Sequence, residues 1–327
     1  MMILKHLAAA FLAVCAATAI PGTASAQNFP DKLVKIVVPY PAGGGVDGLA
    51  RALAESLSQT WKQPVIIENK PGASTMIGGE SVAKAPADGY TLLLTSDSSI
   101  TSNPFLFPKA NFDPVKDLAP ITQLIELNQI LVVHPSVPAN TVAELVKLSK
   151  DKKGALNYGS YGTGSQPHLL FEMLRAKDGA DIMQIPYRGI APAITATIAN
   201  DVQMTLGGWS VTQGHIQAGK LKPIAISRKE RIKELPDIPT LKEAGYAEVD
   251  PQSWFGLFAP AGTPQPIMDK IQKDIAAAFA NQAFLDRNIN ALGFGAVAST
   301  PAAFRAFIAE DLAYKGNLIA VTGIKAD

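Results

Sequence analysis

Short apolar stretches of strand length alternate along this chain with longer stretches in which apolar residues recur every three to four positions. Residues 33–38, 65–68, 91–95, 183–186 and 223–227 have the length and apolar content of buried strands. After the first of them, Val46, Leu49, Ala50, Leu53, Ala54 and Leu57 fall at i, i+3, i+4, i+7, i+8 and i+11, which lays one apolar stripe along a helix. Toward the C-terminus, Thr263-Pro264 and Thr300-Pro301 each offer an N-cap followed by proline at the first helical position. The alternation predicts an α/β fold of mostly parallel sheets flanked by helices. Two segments interrupt it, 121–134 (ITQLIELNQILVVH) and 253–260 (SWFGLFAP), both long, apolar and extended. Read as two crossover strands forming a hinge, they divide the chain into one lobe made of 27–130 plus 250–327 and another made of 131–249.

Twice, a strand runs through a glycine-rich turn into a helix. The first turn carries Tyr40, Ala42, Gly43, Gly44, Gly45, Val46 and Asp47; the second carries Ser160, Gly162, Thr163, Gly164 and Ser165 and leads to His168. The first turn of a helix leaves backbone N–H groups without intrahelical acceptors, and the macrodipole adds about half a positive charge there. Glycine lets a ligand approach that backbone, so each turn is suited to a carboxylate or a phosphate. Two such turns in separate lobes suggest one ligand held between them. Tyr158, Tyr161 and the serine and threonine hydroxyls add hydrogen bonds without fixed charge. Asp47 has two readings, as a first-turn residue satisfying its own helix or as a partner for the ammonium of an amino acid. Ser96 and Ser98 follow a third strand in the first lobe, where ligands of such sheets sit. In the second lobe, Tyr187, Arg188, Gly207 and Gly208 end two strands, and Arg188 is the best placed fixed positive charge for a second carboxylate.

The N-terminus changes the picture by fixing a compartment. Lys5 precedes an apolar run of about 14 residues and Ala24-Ser25-Ala26 supplies a signal-peptidase pattern, so residues 1–26 read as a cleavable export signal, cut after Ala26. The run is short of the roughly 20 residues that span a bilayer. Val14 before Cys15 is bulkier than a lipoprotein site requires. The remaining chain, about 300 residues without cysteine, is periplasmic on this reading and long enough for two lobes without disulfides. Without Lys5 it carries 28 basic and 28 acidic residues. That balance argues against nucleic acid or an anionic membrane surface as the main partner.

Catalytic and cofactor chemistry find little support. Gly43-Gly44-Gly45-Val46-Asp47-Gly48 satisfies G-x-G-x-x-G, and Glu68 stands where a ribose-binding acid would be expected. Pro39-Tyr40-Pro41-Ala42, however, separates the strand from the first glycine and swings the turn away from the sheet. There is no G-x-S-x-G elbow, and His134, His168 and His215 have no metal-type spacing. His168 alone sits in the first turn of a glycine-opened helix, where its ring could face an anion. No enzyme activity, cofactor or metal is expected.

The motifs VPYPAGGGVD, VIIENKPGAS with KAPADGYTLLL, NYGSYGTGSQPHL, PYRG, QAGKLKPIAIS, LPDIPTLKEAGY, SWFGLFAPAGTP and TPAAFRAFI occur in order over essentially the whole mature chain. In these the chain resembles the Bug-type, or TctC-like, solute-binding proteins of tripartite tricarboxylate transporters. The resemblance implies a two-lobed periplasmic binding fold and capture of a small di- or tricarboxylate, aromatic if Tyr40, Tyr161, Tyr187 and Trp209 line the cleft. It implies delivery to integral-membrane permease subunits, with the receptor acting as a monomer. It also implies that the loops at Ala42–Asp47 and Ser160–His168 hold one ligand carboxylate. Two departures stand out: Gly207-Gly208-Trp209 where the family often has an aspartate and small residues, and the loss of a late tryptophan around Tyr314–Gly316. An amino-acid receptor, a sensor-associated binding protein, a secreted enzyme and a dinucleotide-binding protein are the alternatives.

Overall fold

The computed structural model describes residues 29–325 apart from 109, 229 and 248–252, so the export signal at 1–26 lies outside the described residues. The chain folds as two lobes, each a sheet flanked by helices. The first sheet contains β1 (Val34–Val38), β2 (Val65–Asn69), β3 (Thr91–Ser96), β4 (Leu118–Leu127), β10 (Trp254–Pro260) and β11 (Phe294–Ala296), in the order β11-β4-β10-β3-β1-β2. The second contains β5 (Gln129–Val133), β6 (Asn157–Ser160), β7 (Met183–Pro186), β8 (Met204–Gly208) and β9 (Lys222–Ser227), in the order β7-β6-β8-β5-β9. The helices are α1 (Gly45–Trp61), α2 (Met76–Ala83), α3 (Asn103–Leu106), α4 (Val142–Asp151), α5 (Gln166–Asp178), α6 (Ile190–Ile198), α7 (Trp209–Gln217), α8 (Gln265–Phe279), α9 (Gln282–Asn288) and α10 (Pro301–Thr322).

The strand and helix pattern of the sequence is recovered, including the α1 stripe, whose six apolar residues are all buried. The sheets, however, are mixed rather than mostly parallel. β1 runs parallel to β2 and β3, and β6 parallel to β7 and β8, because each of these strands is joined to the next through a helix. β4, β5 and β10 pair antiparallel with their neighbours, since the chain leaves one sheet and returns to it in the opposite sense.

The passage between lobes is short. β4 ends at Leu127 and β5 begins at Gln129, so at this crossing Asn128 is the single residue between the two sheets, and the chain returns between β9 and β10. Asn128 is fixed from several sides: its Nδ2 donates to Gly293 O (2.7 Å), its Oδ1 accepts from Arg228 Nη1 (2.8 Å), and its carbonyl accepts the Trp209 N–H (2.7 Å). β10 lies wholly within the first sheet and every one of its residues is buried, which is why SWFGLFAP reads as an unbroken apolar run.

Thr263 does not cap α8, which starts at Gln265 after Pro264; its hydroxyl instead donates to Pro260 O (2.8 Å) and closes the preceding turn. Thr300 caps α10 as its sequence suggests, accepting the Ala303 N–H. α10 serves both lobes. Phe304 and Ile308 pack with Trp254 and Phe258 in the first lobe, whereas Leu318 and Ile319 join Leu131, Leu170 and Leu174 in the core of the second.

Candidate functional site

The C-terminal ends of β1, β3, β6, β7 and β8 converge on a cavity of about 360 Å³ between the lobes. Its walls come from Tyr40–Val46 after β1, Ser96 at the end of β3, Leu127 and Gln129 on either side of the crossing, and Tyr161 after β6. Gln166, the segment Arg188–Pro192, Gly208, Ser253 and Phe255 complete them.

Helices α1, α5, α6 and α7 each bring their first residues or their cap to this cavity, and none of the four has a side-chain N-cap. Elsewhere, α4, α9 and α10 are capped by Thr141, Asn281 and Thr300, whereas α2, α3 and α8 also lack a side-chain cap. Uncapped N-termini turn positive dipole ends and amide donors toward the cavity, although at α7 the Trp209 N–H is already taken by Asn128 O. At α1, Gly48 gives the first intrahelical bond, to Gly44 O, so the amides of Gly45, Val46 and Asp47 precede the helical ladder. Gly43 takes φ +90°, a value that favours glycine, and turns the chain so that these amides open toward the cavity. Tyr40 closes one side, its hydroxyl bonded to Ser96 Oγ (2.7 Å) and Ser99 Oγ (3.2 Å).

Asp47 is spent on the loop itself. Its carboxylate accepts from Gly43 N (2.9 Å), Arg51 Nε (2.9 Å) and Asn69 Nδ2 (2.9 Å) and does not line the cavity. Burial works against its ionisation, but the bonds from Arg51, Gly43 and Asn69 outweigh that and hold the carboxyl below its usual range. Neither reading of this residue describes it: the carboxylate ties the loop before the helix to Arg51 and Asn69 rather than capping helical amides.

The second glycine turn contributes less directly. Ser160 Oγ accepts from Gln184 Nε2 (2.7 Å), Ser165 Oγ donates to Gly162 O (2.6 Å), and His168 Nδ1 accepts the Gly164 N–H (3.1 Å). Gly164, at φ +75°, packs so closely on Leu106 that a Cβ would collide with it. Ser160, Gly162, Thr163, Gly164, Ser165 and His168 therefore shape the wall from behind, and only their neighbours Tyr161 and Gln166 reach the cavity. Ser98 opens the π-helical turn Ser98–Ser102 and Tyr187 donates its N–H to Ser160 O; neither lines the cavity. Gly207 is covered by Thr212 and Ile194, and Trp209 packs on Gly293, leaving Gly208 as the one residue of that triplet on the wall. Arg188 does line it, exposed and without an ion pair among the described residues.

Gln129, Ser253 and Phe255 were not legible as site residues, because the sequence does not reveal which residues of an apolar crossover turn inward, and Gln166 lies inside the Ser160–His168 loop without being singled out there. A clue existed in Gln129, a polar residue at the centre of an apolar run. Below the cavity, Asp97 and Lys315 form an ion pair at 3.0 Å with both side chains fully buried. Gln166 Nε2 and Ser253 Oγ also donate to Asp97, and the nearby Asp311 accepts from Thr101 Oγ1 (2.7 Å) and Trp254 Nε1 (2.9 Å). Burial raises the Asp97 carboxyl, Lys315 opposes that, and the charge of Asp311 adds to the rise.

A family model described as the tripartite tricarboxylate transporter family receptor, TctC, matches residues 49–324. BugT of Bordetella pertussis is 32% identical over 318 residues, 97% of each chain. Among solved structures, a Rhodopseudomonas palustris protein with adipate is 29% identical, covers 90% of this chain and 99% of its own, and superposes with a TM-score of 0.83. MatC from Rhodopseudomonas palustris with bound malate is 28% identical, covering 89% of this chain and 100% of its own, at a TM-score of 0.81.

Proposed function

The chain belongs to the tripartite tricarboxylate transporter receptor family, and from that premise we propose that it captures a small organic dicarboxylate or tricarboxylate between its lobes. It then delivers that ligand to the integral-membrane subunits of a transporter. The observation that carries this reading is the inter-lobe cavity on which four uncapped helix N-termini converge. One carboxylate sits on the amides of Gly45 and Val46. A second is met by Arg188, and the apolar walls of Leu127, Ile190 and Phe255 accommodate the carbon chain between them. Hydrogen-bonding dipoles rather than several fixed charges suit a ligand that has to be released again.

On this reading the protein works in the periplasm after removal of 1–26, as a monomer and without catalysing a reaction. The lobes meet at Asn128, two residues before the 130/131 boundary read from the sequence, and the chain is back in the first lobe by β10. They close by rotation about Asn128, with α10 carried along or sliding in its packing, since the ligand touches both lobes only in the closed state.

A thermal-shift panel of dicarboxylates, tricarboxylates, amino acids and NAD tests it. A ligand at 100 times its dissociation constant stabilises by about 2.7 kcal/mol, roughly 5 °C for a chain of this size. The expected result is a shift of that order with at least one di- or tricarboxylate and none with NAD. A shift with NAD alone would overturn the proposal.

A further inference from the structure

The lobes are held together by more than their chain crossings. At one end of their interface, the segment after β3 leaves the first lobe and enters the second: Leu106 of α3 belongs to the apolar core built on Leu131, Leu169, Leu170 and Leu174. It presses on Gly164, and Ser102 is the next neighbour of the same glycine. Asp97, at the start of that segment, accepts from Lys315 Nζ of α10 (3.0 Å) and from Gln166 Nε2 of α5 (2.5 Å), and all three residues are buried. Separating the lobes here would take Gln166 from a buried charge and pull Leu106 out of an apolar core, both costly steps. At the other end, Trp209 of the second lobe packs on Gly293 of the first. Asn128 binds both, donating to Gly293 O through Nδ2 (2.7 Å) and accepting the Trp209 N–H at its carbonyl (2.7 Å).

The edge of the cavity between the first glycine turn and residues 188–192 is built differently. Residues 41–45 on one side and Arg188, Ala191 and Pro192 on the other are exposed. Tyr40 bonds Ser96 and Ser99, and Gly43 bonds Asp47, all within the first lobe. Ile190 packs on the second lobe's own Ile194 and Trp209 cluster. Among the described residues no backbone hydrogen bond crosses this edge. We infer that the lobes turn about a fixed spine, running from Trp209 and Gly293 through Asn128 to Asp97 and Leu106, and that the cavity opens only along the edge between Gly43 and Arg188. This inference rests on the two-lobe closure proposed above and assigns its axis. The second glycine turn stays against the first lobe whether the cavity is open or closed, and α10, packed into both lobes, stays with the spine. Arg188 rides on the moving edge, so a ligand reaches the Gly45 and Val46 amides before it meets Arg188.

Residues 27–327 contain no cysteine, so an introduced thiol reports without background. Ser102→Cys places a thiol beneath Gly164 and sacrifices no hydrogen bond, because Ser102 Oγ has no partner. In the unliganded protein it is expected to react with iodoacetamide at least about 1,000-fold more slowly than Glu55→Cys on the exposed face of α1, since only global unfolding uncovers it. Leu106→Cys, in the same contact, repeats the measurement if Ser102→Cys does not fold. Spin labels on the double variant Glu55→Cys/Thr195→Cys span the opening edge; labels on Arg287→Cys/Gln217→Cys, on α9 and α7, span the Trp209 end. The first pair should give a distance distribution at least about twice as broad as the second. A buried thiol that reacts within about 10-fold of Glu55→Cys, or a distribution across the edge no broader than at the Trp209 end, would overturn the inference. Neither measurement uses a ligand, so a panel in which no carboxylate binds would remove the carboxylate reading and leave the spine to be decided by these two results.

Discussion

Gly44→Val is expected to weaken carboxylate binding about 100-fold, close to 2.7 kcal/mol, while the unliganded protein melts as the wild type does. The residue sits at φ −80°, ψ 171°, an extended conformation open to any L-residue. A Cβ there meets nothing closer than Pro41 O at 4.0 Å. The fold therefore tolerates the side chain. What it does not tolerate is the approach of an anion, because the valine methyls project beside the Gly45 and Val46 amides. Losing two charge-assisted hydrogen bonds at about 1.5–3 kcal/mol each leaves ample room for the stated effect. Gly164→Val makes the instructive contrast. At φ +75° and against Leu106, valine there strains the backbone and displaces a packed side chain, so stability falls as well as binding. Titration calorimetry with a carboxylate that binds the wild type, paired with thermal melts, separates the two cases. Unchanged affinity in Gly44→Val would take the first glycine turn out of the site.

Lys315→Met is expected to destabilise the protein by about 3–5 kcal/mol at pH 7, because it strands the Asp97 carboxylate in a fully buried position. The pH dependence follows from the same stranding. Burial already raises the Asp97 carboxyl in the folded protein, and removing Lys315 takes away the main opposing influence. The folded variant then holds a proton that the unfolded chain, titrating near 3.9, has given up. Between those two values the native state binds more protons, so stability falls as pH rises. The deficit relative to wild type is therefore largest at neutral pH and shrinks as the solution is acidified through the raised value. Urea unfolding of both proteins across pH 4–8 measures it. A deficit that is constant with pH would mean that Asp97 is not the group left unpaired. Since Asp97 also anchors Gln166 and meets Ser253 at the return between lobes, this variant should lose ligand affinity in parallel.

The sequence carried the architecture because its signals were local. The α1 stripe, the glycine turn at Gly43 and the cap at Thr300 each depend on residues within a few positions of one another. The parallel strand pairs needed only the βα alternation. The antiparallel pairing of β4, β5 and β10 depended on how the chain returns after crossing, which no local pattern encodes. The site divided the same way. The Tyr40–Val46 wall, Ser96, Arg188 and Gly208 were legible because they end strands, where such sheets hold their ligands. The second glycine turn was legible as a turn, but its role behind the wall follows from the close approach of Leu106 and from His168 bonding back to Gly164. Gln166 and Ser253 acquire meaning only through Asp97, which bonds both and meets Lys315 from 218 positions away in sequence.

The most direct test is a crystal structure of the complex with the carboxylate that gives the largest thermal shift. The expected result is a carboxylate group with its oxygens about 2.7–3.2 Å from the Gly45 and Val46 nitrogens, inside the inter-lobe cavity and in contact with residues of both lobes. A ligand bound outside that cavity, or inside it with no carboxylate on the Gly43–Val46 turn, would contradict the account.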